Sequence, residues 1–181
     1  MGAVLYHVSE FRGITAFEPR VPPSPDSGIA QPVVWAVDDQ RLHNFLLPRD
    51  CPRVTFYPAQ ESTESDVRAL MGPSGGTVRA VVAIESAWFK RVRDARLFLY
   101  RMPPDQFEIA DATAGYWISP RSVSPLDVVE VNDCIASIVE RQVELRLVPS
   151  LWPLRDAVVR SSLNFSCIRM RNARAREGTT P

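Results

Sequence analysis

The side chains that could carry chemistry are few, and the first lies close to the start of the chain. The 181 residues include only two histidines, His7 and His43. His7 lies in the apolar run "LYHVSE", which predicts a strand with Leu5, His7 and Ser9 on one face. An imidazole and a hydroxyl on one face could hold the two hydroxyl groups of a ribose. On this pattern alone, a satisfied histidine at a sheet edge is the favoured interpretation.

A second candidate is the arginine pair in "FLLPRDCPRVTFY". Arg49 and Arg53 lie on either side of a predicted turn, where two guanidinium groups could clamp phosphate oxygens through bidentate hydrogen bonds. In the alternative interpretation, Asp50 pairs with one of them at a rigid loop. This second interpretation, the Asp50 ion pair, is favoured.

The same segment contains a possible cysteine nucleophile. Cys51 lies between Arg49 and Arg53, and an exposed thiol beside two cations has a lowered pKa. His7 or His43 could then act as the base. Buried cysteine is common as a small apolar residue, and this interpretation is favoured.

Other kinds of site have little support. Two histidines and three cysteines, none at ligand spacing, predict no metal. The formal net charge is zero, so nucleic acid would need a local cluster. The segment "CIRMRNARAR" supplies such a cluster, although a solvated basic tail is the favoured interpretation. Its arginines are Arg169, Arg171, Arg174 and Arg176.

The periodicity of the chain predicts a mixed α+β domain with a largely antiparallel sheet. Helices are predicted in "DDQRLHNFLL", in "STESDVRALMG", in "AWFKRVRDA", in "NDCIASIVERQ" opened by Asn132, and in "LWPLRDAVVRSS". Strands are predicted in "LYHVSE", "PVVWAV", "RVTFY", "TVRAVVAIES", "RLFLYRM", "FEIA", "GYWIS", "DVVEV" and "VELRLV", with "NFSCIRM" left ambiguous.

We expect residues 1–172 to form a single globular domain with peripheral helices. Residues 19–32 are predicted as a flexible proline-rich loop, and residues 173–181 as a frayed tail. No apolar run approaches the ~20 residues of a membrane span, so no membrane partner is expected. An odd cysteine count without a secretion signal predicts a cytoplasmic location.

The first part of the chain resembles the ADP-ribosyltransferase fold. The similarity lies in "LYHVSEF", the proline-rich loop, and "VVWAVDDQRLHNFL". It implies a split sheet that binds NAD or a related nucleotide. By this resemblance His7 holds the adenosine-side ribose with Ser9 beside it, and Trp35 stacks on nicotinamide. The implied partners are a small-molecule nucleotide and a protein or nucleic-acid acceptor.

The chain departs from that family at its catalytic glutamate. The corresponding segment, "ATAGYWISP", has Gly115 and Tyr116 where the carboxylate is expected. That carboxylate stabilises the charge that develops as the glycosidic bond breaks. The catalytic residue is therefore unknown, and enzymatic activity is left open. Four carboxylates are candidates for the role: Glu108, Asp111, Asp127 and Glu130.

The whole chain also resembles a small bacterial family without an assigned activity, through "LYHVSE", "NFLLPRDCPRV" and "IRMRNA". Three functions follow. The leading one is binding of NAD or an ADP-ribose-type nucleotide, with transfer or hydrolysis as an extension. The second is non-catalytic partner binding on the same fold, and the third is a cysteine hydrolase built on Cys51.

Overall fold

The fold was analysed in a computed structural model that describes residues 2–22, 28–72 and 77–176. The chain divides into two compact units, each built from two separate segments. The first unit comprises residues 1–45 and 96–132, and the second comprises residues 46–95 and 133–181. The expectation of a single globular domain over 1–172 stays a prediction.

The first unit is built on a six-stranded sheet in which every pair of neighbours is antiparallel. The strand order is β6-β7-β2-β1-β5-β8. An apolar cluster including Leu5, Phe17, Val34 and Tyr100 covers one of its faces. The strands are β1 (Leu5–Ser9), β2 (Val34–Asp38), β5 (Leu97–Met102), β6 (Glu108–Asp111), β7 (Tyr116–Ser119) and β8 (Asp127–Val131).

The second unit has a four-stranded sheet in the order β10-β3-β4-β9. Only the β4–β9 pair is parallel. Strands β3 and β4 are buried along their whole length, which explains why "AVVAIE" is almost continuously apolar. The strands are β3 (Arg53–Tyr57), β4 (Ala80–Glu85), β9 (Val143–Val148) and β10 (Asn164–Ile168).

Within the described residues, four α-helices belong to this second unit. They are α1 (Glu64–Met71), α2 (Phe89–Arg93), α3 (Cys134–Val139) and α4 (Trp152–Val159). Helix α1 begins where the Thr63 hydroxyl accepts the Asp66 N–H at 3.3 Å, and it ends at Gly72 with φ 64°. Met71 and Val158 pack from α1 and α4 into a core with Val54 and Phe56.

The α+β class and the largely antiparallel pairing are confirmed, and most predicted elements are present. The helix predicted in "DDQRLHNFLL" is wrong, because only Leu42–Asn44 form one turn of 3-10 helix. Asp38 ends β2 and its carboxylate accepts the Arg41 N–H at 2.9 Å, as it would at a helix start. The backbone hydrogen bonds that follow each span three residues, however, with the Asn44 N–H donating to the Arg41 carbonyl and the Phe45 N–H to the Leu42 carbonyl. The segment is therefore a 3-10 turn and not an α-helix. Helix α3 is capped by Asp133, one residue later than predicted.

The predicted loop and tail lie partly outside the described residues, at 23–27 and 177–181. Beside the loop gap, Arg20 pairs with Val33 in an isolated β-bridge. In the tail, the backbone N–H of Arg174 donates to Glu85 at 2.9 Å, and its carbonyl accepts from the Trp152 indole at 2.7 Å. The described part of the tail therefore contacts the rest of its own unit at Arg174, and again at Arg176 through the ion pair with Asp156.

Candidate functional site

The His7 imidazole is held in one orientation by the neighbouring strand. Its Nδ1 lies 2.7 Å from the carbonyl oxygen of Trp35. Because a carbonyl can only accept, Nδ1 carries the proton, and Nε2 of the neutral ring has acceptor character. The ring also contacts Phe17, with centroids 4.4 Å apart. The side chain is half-buried, so part of it is accessible to solvent.

The resemblance implies that His7 and Trp35 hold one nucleotide between them, in a common hollow. This expectation is wrong, because the strand register puts the two side chains on opposite faces. Tyr6 pairs with Val37, so these two share a face with Trp35, two residues along β2. His7 is the next residue along β1 and points the other way, opposite Tyr100. The contact between His7 and Trp35 runs through the Trp35 backbone, which lies in the plane of the sheet.

Trp35 belongs instead to an aromatic cluster on the second face. Its ring meets Tyr116 edge-on at 5.6 Å, and Phe45 approaches Tyr116 at 6.0 Å. All three side chains are half-buried. Trp35 therefore cannot stack on a ring that is bound beside His7.

The segment after β1 adds groups that the sequence reasoning missed. Ser9 Oγ accepts the Phe11 N–H at 3.1 Å, which fixes the turn that leaves the strand. The Tyr100 hydroxyl donates to the Phe11 carbonyl at 2.8 Å and accepts the Ile14 N–H at 3.1 Å. Both backbone groups of Phe11 are thus hydrogen-bonded, whereas the residue is 70% exposed. The signal in the sequence was an aromatic and an arginine directly after "HVSE".

Only one of the four candidate carboxylates shares the His7 face. Ser9 pairs with Phe98, and Phe98 pairs with Glu130, so these three point to the same side of the sheet. Glu130 lies 3.8 Å from the guanidinium group of Arg12. The other three, Glu108, Asp111 and Asp127, pair in register with Ile118, Tyr116 and Arg101 on the Trp35 face.

Two of those three carboxylates are engaged by neighbouring groups, and the third is exposed to solvent. Asp127 forms an ion pair with Arg101 at 2.6 Å. Asp111 accepts the backbone N–H groups of Thr113 and Ala114 at 2.8 and 2.9 Å, which closes the β6–β7 turn. Glu108 is exposed in the edge strand β6.

The predicted phosphate clamp of Arg49 and Arg53 is wrong with respect to Arg53. The Arg53 side chain is buried, and it donates to the carbonyl oxygens of Cys51 at 2.8 Å and Pro48 at 3.3 Å. A guanidinium group engaged inside the protein cannot meet a ligand phosphate. Arg49 is exposed, and its role in phosphate binding stays a prediction.

The geometry also contradicts a nucleophilic role for Cys51. Its side chain is fully buried, and burial raises the pKa of the thiol to about 12, despite the opposing effect of the Arg53 charge. A thiol with that pKa is almost entirely protonated at neutral pH and is a poor nucleophile. The arginines that suggested a reactive cysteine do not offset the loss of solvent.

The four C-terminal arginines lie beyond the last strand and do not share a strand face. Strand β10 ends at Ile168, and Arg169 has a left-handed backbone with φ 56°. Arg176 pairs with Asp156 and lies over the Trp152 ring at 5.5 Å.

Two further properties concern the described residues. Within 2–22, 28–72 and 77–176, no three histidine, cysteine or acidic side chains come together as metal ligands. Over the same ranges, no helix has the length and apolar character needed to cross a membrane.

Comparison with known proteins identifies the family but not the activity. A model described as "Family of unknown function (DUF6886)" matches residues 6–173. No curated protein matched the chain, and no solved structure matched it. The expectation of an uncharacterised family is confirmed, whereas the resemblance to ADP-ribosyltransferases stays a prediction.

Proposed function

We propose that this chain, which belongs to the DUF6886 family of unknown function, binds a ribose-bearing nucleotide of the NAD and ADP-ribose class where β1 ends. The observation that supports this proposal is the fixed, half-buried imidazole of His7, 2.7 Å from the Trp35 carbonyl. An imidazole anchored through Nδ1 presents Nε2 at a defined place without further ordering cost. The resemblance of "LYHVSEF" to the ADP-ribosyltransferase fold supports the same ligand class.

Two side chains on one strand face match the hydroxyl groups of a ribose. His7 and Ser9 are two residues apart along β1, which separates their Cα atoms by about 7 Å. The imidazole Nε2 can accept a hydrogen bond from one ribose hydroxyl, and the serine hydroxyl can donate to or accept from the other. A ribose that bridges these groups would lie along the strand and point its base towards the following turn.

That turn offers a surface for the rest of the nucleotide. Phe11 is 70% exposed on a backbone that Tyr100 holds, so its ring is available to stack on an adenine or nicotinamide. Arg12 is 74% exposed at its side chain and supplies a guanidinium group for a phosphate. In this proposal Phe11 takes the stacking role that the sequence assigned to Trp35.

Transfer chemistry at this site would depend on Glu130. Of the four candidate carboxylates, Glu130 is the one on the His7 face. It lies in register with Ser9, two strands away, which separates the two backbones by about 10 Å. This distance suits a nucleotide whose two riboses lie across the strands. Release of nicotinamide from NAD, lost in Glu130→Gln, would demonstrate this role.

The decisive binding experiment uses Phe11→Ala, because an exposed side chain can be removed without disturbing the core. Isothermal titration with NAD and ADP-ribose should give binding by the unaltered protein. Loss of base stacking is worth about 1–3 kcal/mol, so Phe11→Ala should raise the dissociation constant about 5- to 150-fold. Phe165→Ala, at a 43% exposed phenylalanine in β10, is the matched control and should bind as the unaltered chain does.

A second variant tests the imidazole. His7→Ala should weaken ADP-ribose binding more than it weakens binding of free adenine, because only the former has the ribose hydroxyls. Trp35→Phe, which keeps the backbone carbonyl and changes only the other face, should bind as the unaltered chain does. Absence of binding to NAD and ADP-ribose at millimolar concentration would refute the nucleotide site.

A further inference from the structure

The edge strand β8 has features that fit an interaction surface. Within the described residues, β8 pairs on one side only, with β5. Its Val128 and Val129 are 43% and 55% exposed, and Leu126, just before the strand, is 56% exposed. A regular strand with an open edge and exposed apolar side chains is a template for another strand.

The opposite edge of the same sheet is protected. Strand β6 has only four residues, and a β-bulge interrupts its pairing between Ile109 and Asp111. It also carries a carboxylate at each end, at Glu108 and Asp111. Short length, a bulge and charge are the usual means of preventing edge pairing. Strand β8 has five residues in unbroken register with β5.

We propose that β8 pairs with β8 of a second copy of this chain, antiparallel about a two-fold axis at Val129. This inference goes beyond the nucleotide site and does not depend on it, although Glu130 and Arg12 belong to both. Directly opposed residues of an antiparallel pair point to the same face of the sheet. A two-fold axis normal to the sheet must therefore lie midway between one residue and the same residue of the second copy. The choice therefore lies among Val128, Val129 and Glu130, the three central residues of the strand.

Repulsion between carboxylates and the number of paired residues favour an axis at Val129. An axis at Glu130 would oppose two carboxylates, which is destabilising. An axis at Val128 would pair only residues 127–129 of each strand. An axis at Val129 pairs all five residues of both strands. It places Val128 against Glu130 of the second copy and Asp127 against Val131 of the second copy, so no carboxylate faces another.

The charge state of the strand also permits this pairing. Asp127 is neutralised by Arg101 at 2.6 Å, and Glu130 lies within 3.9 Å of both Arg12 and Arg96. These arginines belong to the same copy, so two β8 strands can approach without net repulsion between their acidic side chains. The result is one continuous sheet with exposed valines packed in adjacent positions.

Sedimentation equilibrium of the full chain tests the proposal directly. The unaltered protein should show a concentration-dependent dimer. Val129→Lys places two ammonium groups opposite each other at the axis and should raise the dimer dissociation constant at least tenfold. The matched control is Val139→Lys, at a valine of similar exposure (57% against 55%) on α3, which should leave dimerisation unchanged.

Cysteine cross-linking tests the register. Val129→Cys should form an intermolecular disulfide on mild oxidation, because directly opposed residues have Cα atoms about 4.5–5.5 Å apart. Val128→Cys meets its counterpart only diagonally and should cross-link at least tenfold less. A monomer at about 200 μM would overturn the proposal. So would a dimer that Val129→Lys leaves intact, or equal cross-linking of the two cysteine variants.

Discussion

Glu85 is the side chain whose removal should most clearly test how the second unit is held together. It ends β4 and is only 4% exposed. Its carboxylate accepts the N–H of Leu151 at 3.2 Å, where α4 begins, and the N–H of Arg174 at 2.9 and 3.1 Å. One buried anion thus joins a central strand, a helix start and the C-terminal segment.

The expected cost of Glu85→Ala follows from these two donors. Hydrogen bonds to a charged group are worth about 1.5–3 kcal/mol each, and an unsatisfied buried N–H is costly. Leu151 is fully buried, so water cannot readily replace the carboxylate there. We expect a loss of about 3–5 kcal/mol in the free energy of unfolding. The corresponding fall in Tm is roughly 10 °C for a chain of this size.

Guanidinium unfolding followed by circular dichroism measures this change. Glu140→Ala, at an exposed glutamate after α3, is the control and should change stability by less than about 0.5 kcal/mol. Trp152→Phe removes the indole N–H that donates to the Arg174 carbonyl at 2.7 Å. Because both changes release the same segment, the double variant should lose less than the sum of the two. A cost below about 1 kcal/mol for Glu85→Ala would refute the reasoning.

Three further predictions concern single positions. Gly115→Ala should lower the free energy of unfolding by about 2–3 kcal/mol, because φ is 69° and the new Cβ would lie 2.7 Å from the Asp38 carboxylate. The control is Gly13→Ala, where φ is 86° and the Cβ would enter open space. It should lower the free energy of unfolding by only about 1 kcal/mol in the same guanidinium experiment. Thr55→Val should raise the stability by up to about 1 kcal/mol, since the buried Thr55 hydroxyl has no hydrogen-bond partner among the described residues, and a stability loss would contradict this. Burial raises the pKa of Cys51 to about 12, so this thiol should react with thiol reagents at pH 8 far more slowly than half-buried Cys167. Mass spectrometry of the labelled protein measures the two rates, and the Cys51 rate should increase as the pH is raised. Equal rates at pH 8 would contradict the burial of Cys51.

Local patterns in the sequence were sufficient for most of the secondary structure. Helix α1 is an example, because a threonine hydroxyl that caps it and a glycine that ends it are next to the helix in the chain. The strand at His7 was likewise predicted from a short apolar run. At residues 38–47 the apolar spacing predicted an α-helix, and this prediction was wrong. The structure has a turn that begins at Asp38 and a single 3-10 turn at Leu42–Asn44.

The candidate site could be predicted only in part. Ser9 and His7 share a face because they are two residues apart on one strand, which the sequence alone determines. Phe11 was missed because exposure depends on what packs around a residue. Glu130 could be separated from the other carboxylates only through the pairing of β1, β5 and β8.

The sequence by itself determined which segments form strands and helices, that the class is α+β, and that His7 and Ser9 point together. The tertiary structure decided that Trp35 faces away from His7, that Arg53 is enclosed, and that Cys51 is sealed from water. The physical reason is that strand register and burial come from contacts between distant segments. A shift of one residue in register reverses the face of every side chain, and no local pattern encodes it.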